Sequence, residues 1–203
     1  AMAVSADSAL VVVLAVAAAD SVAVVAALAV AALRGGGEMN LRRCLRHLLI
    51  PGWFSQRVFK QQDLAAITAA ITASERTHRG EFRLVLEGSW PWSALWQNTT
   101  VRERAAAHFA QLGVWDTEDN SGILIYVQLL DHQVEILADR GIAKRVPQAA
   151  WDAICRAMEA DFRQKNYRAG VLTAITQATA LLAQHFPAHE NNPNELQDHP
   201  VRR

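Results

Sequence analysis

The strongest hydrophobic pattern in the chain is an apolar run over residues 123–130. Both alternating faces of this run are apolar, which is typical of a β-strand buried on both sides. Two polar residues, 131–132, separate it from a second short apolar run over residues 134–137. The pattern therefore predicts an antiparallel hairpin with a two-residue turn, in which Ile125 faces Ala138.

Helical periodicity and helix-end signals appear on both sides of the hairpin. Thr100 and Glu103 form a capping-box pattern that opens a helix, and Gly113 ends it. Pro147 suits the start of another helix. The elements predicted outside the hairpin are a helix over residues 61–78, a strand over 81–86, a helix over 100–112, a helix beginning at 147 and a last helix over 167–186.

Residues 1–38 form an apolar N-terminal segment with a composition of its own. Residues 9–33 are all Ala, Val or Leu except Asp20 and Ser21, and this stretch is long enough to cross a bilayer. The arginines that come after it favour a domain on the cytoplasmic face of the inner membrane. Two other interpretations stay open. The segment is upstream sequence translated before a true start at Met39, which makes the protein cytoplasmic, or it is a helix packed on the domain.

Residues 39–60 form a basic amphipathic segment. Leucines at helical spacing alternate there with arginines, and the aromatic pair Trp53 and Phe54 comes after them. This pattern suits a membrane surface or a membrane protein complex, although the leucines could equally dock on the domain. Residues 61–187 are predicted to form the domain, and the polar residues 188–203 a disordered tail.

The composition argues against several classes of function. The formal net charge is zero at pH 7, so no overall electric field favours nucleic acid. Cys44 and Cys155 match no metal or redox spacing, which predicts two free buried thiols in a reducing compartment, while a single disulfide stays open. The sequence contains no phosphate-binding glycine loop and no Gly-x-Ser-x-Gly motif, and no organic cofactor is expected.

The hairpin brings acidic side chains of two segments together. Asp116, Glu118 and Asp119 precede the first strand, and Asp139 ends the second. Crowded carboxylates repel each other unless protons or a cation neutralise them, and calcium and magnesium prefer oxygen ligands. The spacing is not that of an EF-hand, because Val127 stands where the bidentate Glu would be. The alternative is that the Asp-Asn-Ser-Gly stretch forms only a turn.

These motifs resemble those of the TPM domain, a family that includes thylakoid-lumen proteins of photosystem II repair and many bacterial membrane-associated proteins. The resemblance extends over residues 62–186. It rests on Asp119-Asn120-Ser121-Gly122 before the hydrophobic strand, Asp131-His132 at the turn, and Arg140-Gly141-Ile142 after the second strand. Ser121, His132 and Asp139 depart from the residues that the family usually carries, which are Asn, Arg and Gly.

The resemblance implies an α/β fold. This is a three-layer sandwich in which a small central mixed sheet contains the buried hairpin and helices cover both faces. It also implies a divalent cation, calcium or magnesium, in an acidic pocket, with Asp119, Asn120 and Asp131 as the matching residues. The crowding argument adds Asp116 and Asp139 to the candidate metal ligands. Acid phosphatase activity, attributed to the plant relative, is a further implication.

Two functional hypotheses result. The first is a cation-binding module that helps to assemble or maintain membrane complexes. The second is a metal-assisted phosphatase acting on phosphomonoesters, in which Arg140 and Lys144 would bind the phosphate. A third interpretation, a structural adaptor whose carboxylates are simply solvated, stays open.

Overall fold

The structure is a computed structural model that describes residues 41–50, 54–188 and 194–203. The chain divides into two compact units, Ala1–Leu45 and Arg46–Arg203, and the sheet with its helices belongs to the second. The hypotheses about residues 1–38 fall outside the described residues. Among the residues that are described, no helix is both long and apolar enough to cross a membrane.

The described residues form helices and strands in mixed order. They are α1 (Leu41–Leu49), α2 (Phe54–Val58), α3 (Gln61–Glu75), β1 (Glu81–Glu87), α4 (Trp92–Trp96), α5 (Val101–Gln111), β2 (Gly122–Gln128), β3 (Gln133–Ala138), α6 (Arg140–Ala143), α7 (Gln148–Arg163), α8 (Tyr167–His185) and β4 (Val201–Arg202).

The helix-start signals act as predicted. The Glu103 backbone N–H donates to Thr100 Oγ1 over 3.2 Å, and the Thr100 N–H donates to Glu103 Oε2 over 2.8 Å. This reciprocal capping box satisfies two amides at the start of α5 that have no partner within the helix. Pro147 is the N-cap of α7, where its missing N–H costs no helical hydrogen bond.

Four strands form one mixed sheet in the order β3-β2-β1-β4. Strand β1 runs parallel to β2 along seven residue pairs and parallel to β4 at its other edge, whereas β2 and β3 are antiparallel. The mixed sheet with its buried hairpin is the α/β fold expected from the sequence.

The predicted register of the hairpin is wrong by two residues. Ile123, not Ile125, pairs with Ala138, because the last pair is Gln128 with Gln133 and four residues form the connection. Leu129 belongs to that connection and donates its backbone N–H to the Glu87 carbonyl oxygen. A shift of two leaves every side chain on its predicted face, since the side-chain period of a strand is two.

Helices cover both faces of the sheet. On one face, Phe82 of β1 and Ile123, Ile125 and Ile136 of the hairpin pack against α3, α7 and α8 in one large apolar core. On the other face, a smaller cluster centred on Leu124 and Tyr126 packs against α5. Burial on both sides explains why β2 is apolar along its whole length.

Helix α7 covers the outer edge of β3. The Val134 backbone N–H donates to Glu159 Oε1 over 3.1 Å, and the Ile136 N–H donates to the Cys155 sulfur, four residues earlier on the helix. Burial raises the pKa of the Cys155 thiol to about 12, and Cys44 is buried as well. The helix thereby satisfies edge amides that would otherwise be open to another strand.

Residues 194–203 differ from the predicted disordered tail. Their last residues form β4 on the free edge of β1, and Leu196 and Val201 pack against the smaller apolar cluster. A composition rule cannot detect such docking, because the contacts that order the segment are supplied by β1 and α3, more than a hundred residues away in sequence.

The buried carboxyl group of Glu75, at the end of α3, makes the stability of the fold depend on pH. Burial raises its pKa to about 8, and the nearby carboxylates of Glu81 and Asp198 add to this effect. The protonated form is therefore favoured in the folded state. Relative to an unfolded pKa of 4.5, stability is lost as the pH rises from about 4.5 to about 8.

We predict that Glu75→Gln, which keeps an acceptor for the Phe82 N–H, stabilises the protein at pH 8 by on the order of 2 kcal/mol and has little effect at pH 4.5. Urea unfolding at both pH values measures the difference. The exposed Glu118→Gln variant controls for the loss of one negative charge. An equal effect of Glu75→Gln at the two pH values would contradict the prediction.

Candidate functional site

The loop before β2 and the end of β3 meet at one edge of the sheet, as the sequence predicted. The Asp139 backbone N–H donates to the Gly122 carbonyl over 2.9 Å, and the Gly141 N–H donates to the Asn120 carbonyl over 3.0 Å. Arg140 Nε donates to Asn120 Oδ1 over 2.6 Å. We call this region, residues 116–122 with 139–141, the acidic edge.

Two glycines let the backbones of the acidic edge approach closely. A Cβ atom at Gly141 would stand 2.5 Å from the Asp119 carbonyl oxygen and 2.6 Å from that of Asn120. At Gly122 a Cβ would stand 1.8 Å from the carbonyl oxygen of Val114. Both contacts are with backbone, which cannot rotate away, so each position requires the absence of a side chain.

Asp119 lies at the surface of the acidic edge and forms an ion pair. Arg79, which comes after α3, donates from NH1 to Asp119 Oδ2 over 2.8 Å. The Asp119 side chain is 44% exposed and that of Arg79 19% exposed. An ion pair this open to water contributes about 0–1 kcal/mol, so it can exchange for another partner at low cost.

Asp139 is the N-cap of α6 and has one oxygen without a partner. Its Oδ1 accepts the Arg140 backbone N–H over 2.6 Å. Its Oδ2 is buried and accepts no hydrogen bond from any described residue. A buried carboxylate oxygen without a donor costs free energy, so this atom is the one at the acidic edge that most requires a ligand.

The carboxylates share the acidic edge without converging on one point. Asp116 and Glu118 are exposed, and Asp119 is turned to Arg79. Within the described residues, no three His, Cys, Asp or Glu side chains are placed to hold one metal ion together. A cation that bound Asp119 would have to displace Arg79 from it.

Asp131 lies at the opposite end of the hairpin, and the structure does not bring it to the acidic edge. Its Oδ2 is 3.1 Å from His47 Nε2, and Arg46 approaches its other oxygen at 3.8 Å. The His47 Nδ1 accepts the Trp90 backbone N–H over 2.9 Å, which leaves Nε2 as the protonated nitrogen that donates to Asp131. Asp131 thus helps to attach the end of α1 to the sheet.

Arg140 and Lys144, the predicted phosphate-binding residues, lie at the start and the C-cap of the short helix α6. Both side chains belong to exposed residues. Arg140 belongs to the acidic edge and contacts Asn120 there, whereas Lys144 comes after the residues of this edge. Arg79 is a second cation at this edge that the sequence pattern did not indicate, because it precedes β1 and is distant in sequence from the loop.

A buried polar network at the carboxyl end of β1 and β2 also went unnoticed in the sequence. Burial alone would raise the pKa of Glu87, but the His108 ring, whose Nε2 lies 3.5 Å from Glu87 Oε2, and hydrogen bonds from Arg104 and Tyr126 hold this pKa at about 2. Arg104 Nε donates to Glu87 Oε2 over 3.0 Å, and Trp90 Nε1 donates to the Tyr126 hydroxyl over 2.7 Å. With its charge paired by Arg104, this carboxylate joins α5 and the segment after β1 to the sheet.

The fold agrees with the comparisons to known proteins. The chain belongs to the TPM domain family, since the family's sequence pattern matches residues 55–181, more than half of the chain. It is also similar to a solved structure, the NMR structure of the BA42 protein from the psychrophilic bacterium Bizionia argentinensis. The two chains share 29% identity with a TM-score of 0.63, over 70% of this chain and 94% of BA42. No curated protein matches the chain.

We predict that Gly141→Ala destabilises the fold by roughly 2–4 kcal/mol, because the new methyl group overlaps the Asp119 and Asn120 carbonyl oxygens. Urea unfolding measures the loss. Gly113→Asn is the control: Gly113 has a φ of +64° that Asn tolerates, and a Cβ there meets no atom within 4 Å. Equal stability of the two variants would contradict the close approach of Gly141 to the Asp119 and Asn120 carbonyl oxygens.

Proposed function

We propose that the protein is a TPM-domain module that binds a divalent cation, calcium or magnesium, at the acidic edge and helps to assemble or maintain membrane complexes. The observation that carries the proposal is the buried Oδ2 of Asp139, which accepts no hydrogen bond within the described part of the chain and lies beside a loop of exposed carboxylates. A cation would satisfy this oxygen and reduce the repulsion among the neighbouring acids.

The cation would compete with Arg79 for Asp119. Because the Arg79–Asp119 pair is exposed, giving it up costs about 0–1 kcal/mol. Calcium takes six to eight oxygen ligands, more than Asp119 and Asp139 can supply. Asp116, an oxygen of Asn120 and water molecules would supply the others. The exchange predicts weak binding, roughly 0.1–1 mM, as in other calcium sites with few charged ligands.

Association with a membrane surface is supported by the opposite end of the sheet. The side chains of Leu49, at the end of α1, and Trp96, at the end of α4, are 69% and 52% exposed. Arg46, one turn before Leu49 on α1, is 47% exposed. The contact of His47 with Trp90 joins the two segments. Exposed Leu, Trp and Arg together suit the headgroup region of a bilayer on the cytoplasmic face.

A metal-assisted phosphatase is the second candidate. The observation that favours it is the presence of two guanidinium groups, Arg79 and Arg140, beside the carboxylates of the acidic edge. A bound cation would polarise a phosphoryl oxygen, Arg140 and Lys144 would hold the phosphate, and water would displace the alcohol. The two candidates use the same site and differ in whether a substrate turns over.

Calcium titration of the full chain, followed by amide NMR shifts, tests the first proposal. We expect saturable shifts at residues 116–122 and 139–141, and at least a tenfold weaker binding, equal to about 1.4 kcal/mol, in Asp139→Asn. Asp131→Asn is the matched control, because it removes a carboxylate at the other end of the hairpin and should bind calcium as the unmodified protein does. Shifts spread evenly over all surface acids would reject a site.

Hydrolysis of a generic phosphomonoester in the presence of magnesium tests the second proposal. If the protein is a phosphatase, Arg140→Ala and Lys144→Ala should each lower kcat/KM by about 10- to 100-fold, while Asp131→Asn stays active. If a preparation binds calcium at the acidic edge but does not hydrolyse the ester, the phosphatase hypothesis is rejected and the cation-binding module is retained.

A further inference from the structure

Residues 194–203 lie along the outer edge of β1, from its first residue to its end. Val201 and Arg202 pair in parallel with Val85 and Leu86. The Arg203 N–H donates to the Leu86 carbonyl over 3.1 Å, and the Gly88 N–H donates to the Arg203 carbonyl over 3.1 Å. We call residues 194–203 the C-terminal strap. It extends the sheet as an added strand does in peptide recognition.

At the start of β1, two buried side chains hold the main chain of the strap. Glu81 Oε2 accepts the backbone N–H groups of Glu195, over 3.2 Å, and Leu196, over 3.1 Å. The Arg83 guanidinium donates to the backbone carbonyl of Gln197. Glu81 as acceptor and Arg83 as donor thus bind backbone groups of an extended peptide. These contacts do not depend on the side chains of the peptide.

The side chains of the strap add two apolar anchors and one polar contact. Leu196 and Val201, five residues apart, pack on the apolar cluster that contains Val85. Between them, Asp198 accepts a hydrogen bond from Thr72 of α3. The two apolar side chains of the strap therefore fit the cluster of β1, β2 and α5, and the acidic side chain between them fits Thr72 of α3.

The strap is held less firmly than the other strands. Its ladder with β1 has two residue pairs, whereas β1 and β2 share seven. Removing it would expose the backbone groups of a buried strand, and such an edge pairs readily with another extended chain. The same segment of a second copy would satisfy every contact that the strap makes now, so exchange between copies requires no new complementarity.

We propose that the edge of β1, with Glu81, Arg83 and Thr72, is a docking groove for an extended peptide, and that a second copy of this chain docks there through its own residues 194–203. The resident strap acts as an intramolecular competitor with an effective concentration on the order of mM, which keeps the monomer dominant in dilute solution. Docking of the second copy therefore depends on protein concentration.

A complementary pair of full-length variants tests the exchange. Leu196→Asp with Val201→Asp disables the strap and leaves the groove intact. Arg83→Glu disables the groove, because it places a negative charge beside Glu81 and Asp198, and leaves the strap intact. We expect each variant alone to be monomeric by light scattering and their mixture to form a 1:1 complex. If both variants are folded by circular dichroism and the mixture remains monomeric, the proposal fails.

The unmodified chain gives a second test that does not depend on the folding of the variants. A synthetic peptide of residues 194–203 at about 1 mM should shift the backbone amides of β1 in the unmodified chain, because this concentration matches the effective concentration of the resident strap. The same peptide carrying Asp in place of Leu196 and Val201 is the control. Equal shifts with both peptides, or none with either, would overturn the proposal whatever the variants do.

Discussion

The parallel pairing of β1 with β2 is the constraint on which the rest of the structure depends. Seven consecutive residue pairs hold the two strands in the same direction, and every residue of both strands is buried. Because the strands are parallel, the segments that enter them lie at one end of the sheet and the segments that leave them lie at the other. Arg79 and Asp119, which precede β1 and β2, therefore meet, and so do Glu87 and the connection after β2.

The two ends of the sheet treat charge differently. At the carboxyl end, Glu87 is buried and fully hydrogen-bonded to Arg104 and Tyr126, so removing one partner would leave a charge in a medium of low dielectric constant. At the amino end, Asp119 is open to water and its pair with Arg79 is weak. The buried charge of Glu87 is thus held by hydrogen bonds, whereas the exposed charge of Asp119 can exchange its partner. This contrast directs the functional proposal to that edge.

Local sequence signals predicted the elements, and long-range contacts decided the details. Thr100 and Glu103 act within one helical turn, so the capping box could be recognised from the sequence. The register was missed because Leu129 looks like a strand residue but bonds to the Glu87 carbonyl on the neighbouring strand. The pairing of Arg79 with Asp119 spans forty residues and leaves no local trace. The sequence therefore predicted the position of the acidic edge but not that Arg79 pairs with Asp119 there.

The strap and the acidic edge are physically connected. The backbone N–H of Glu118, in the loop before β2, donates to Glu195 Oε2 of the strap over 2.9 Å. A cation at the acidic edge would fix this loop, and the loop holds the start of the strap. Binding free energies are reciprocal, so a cation that favours the docked strap must bind more tightly when the strap is docked. One that displaces Glu195 must instead favour exchange between copies. In both cases the hydrogen bond between Glu118 and Glu195 would couple cation binding to docking of the strap.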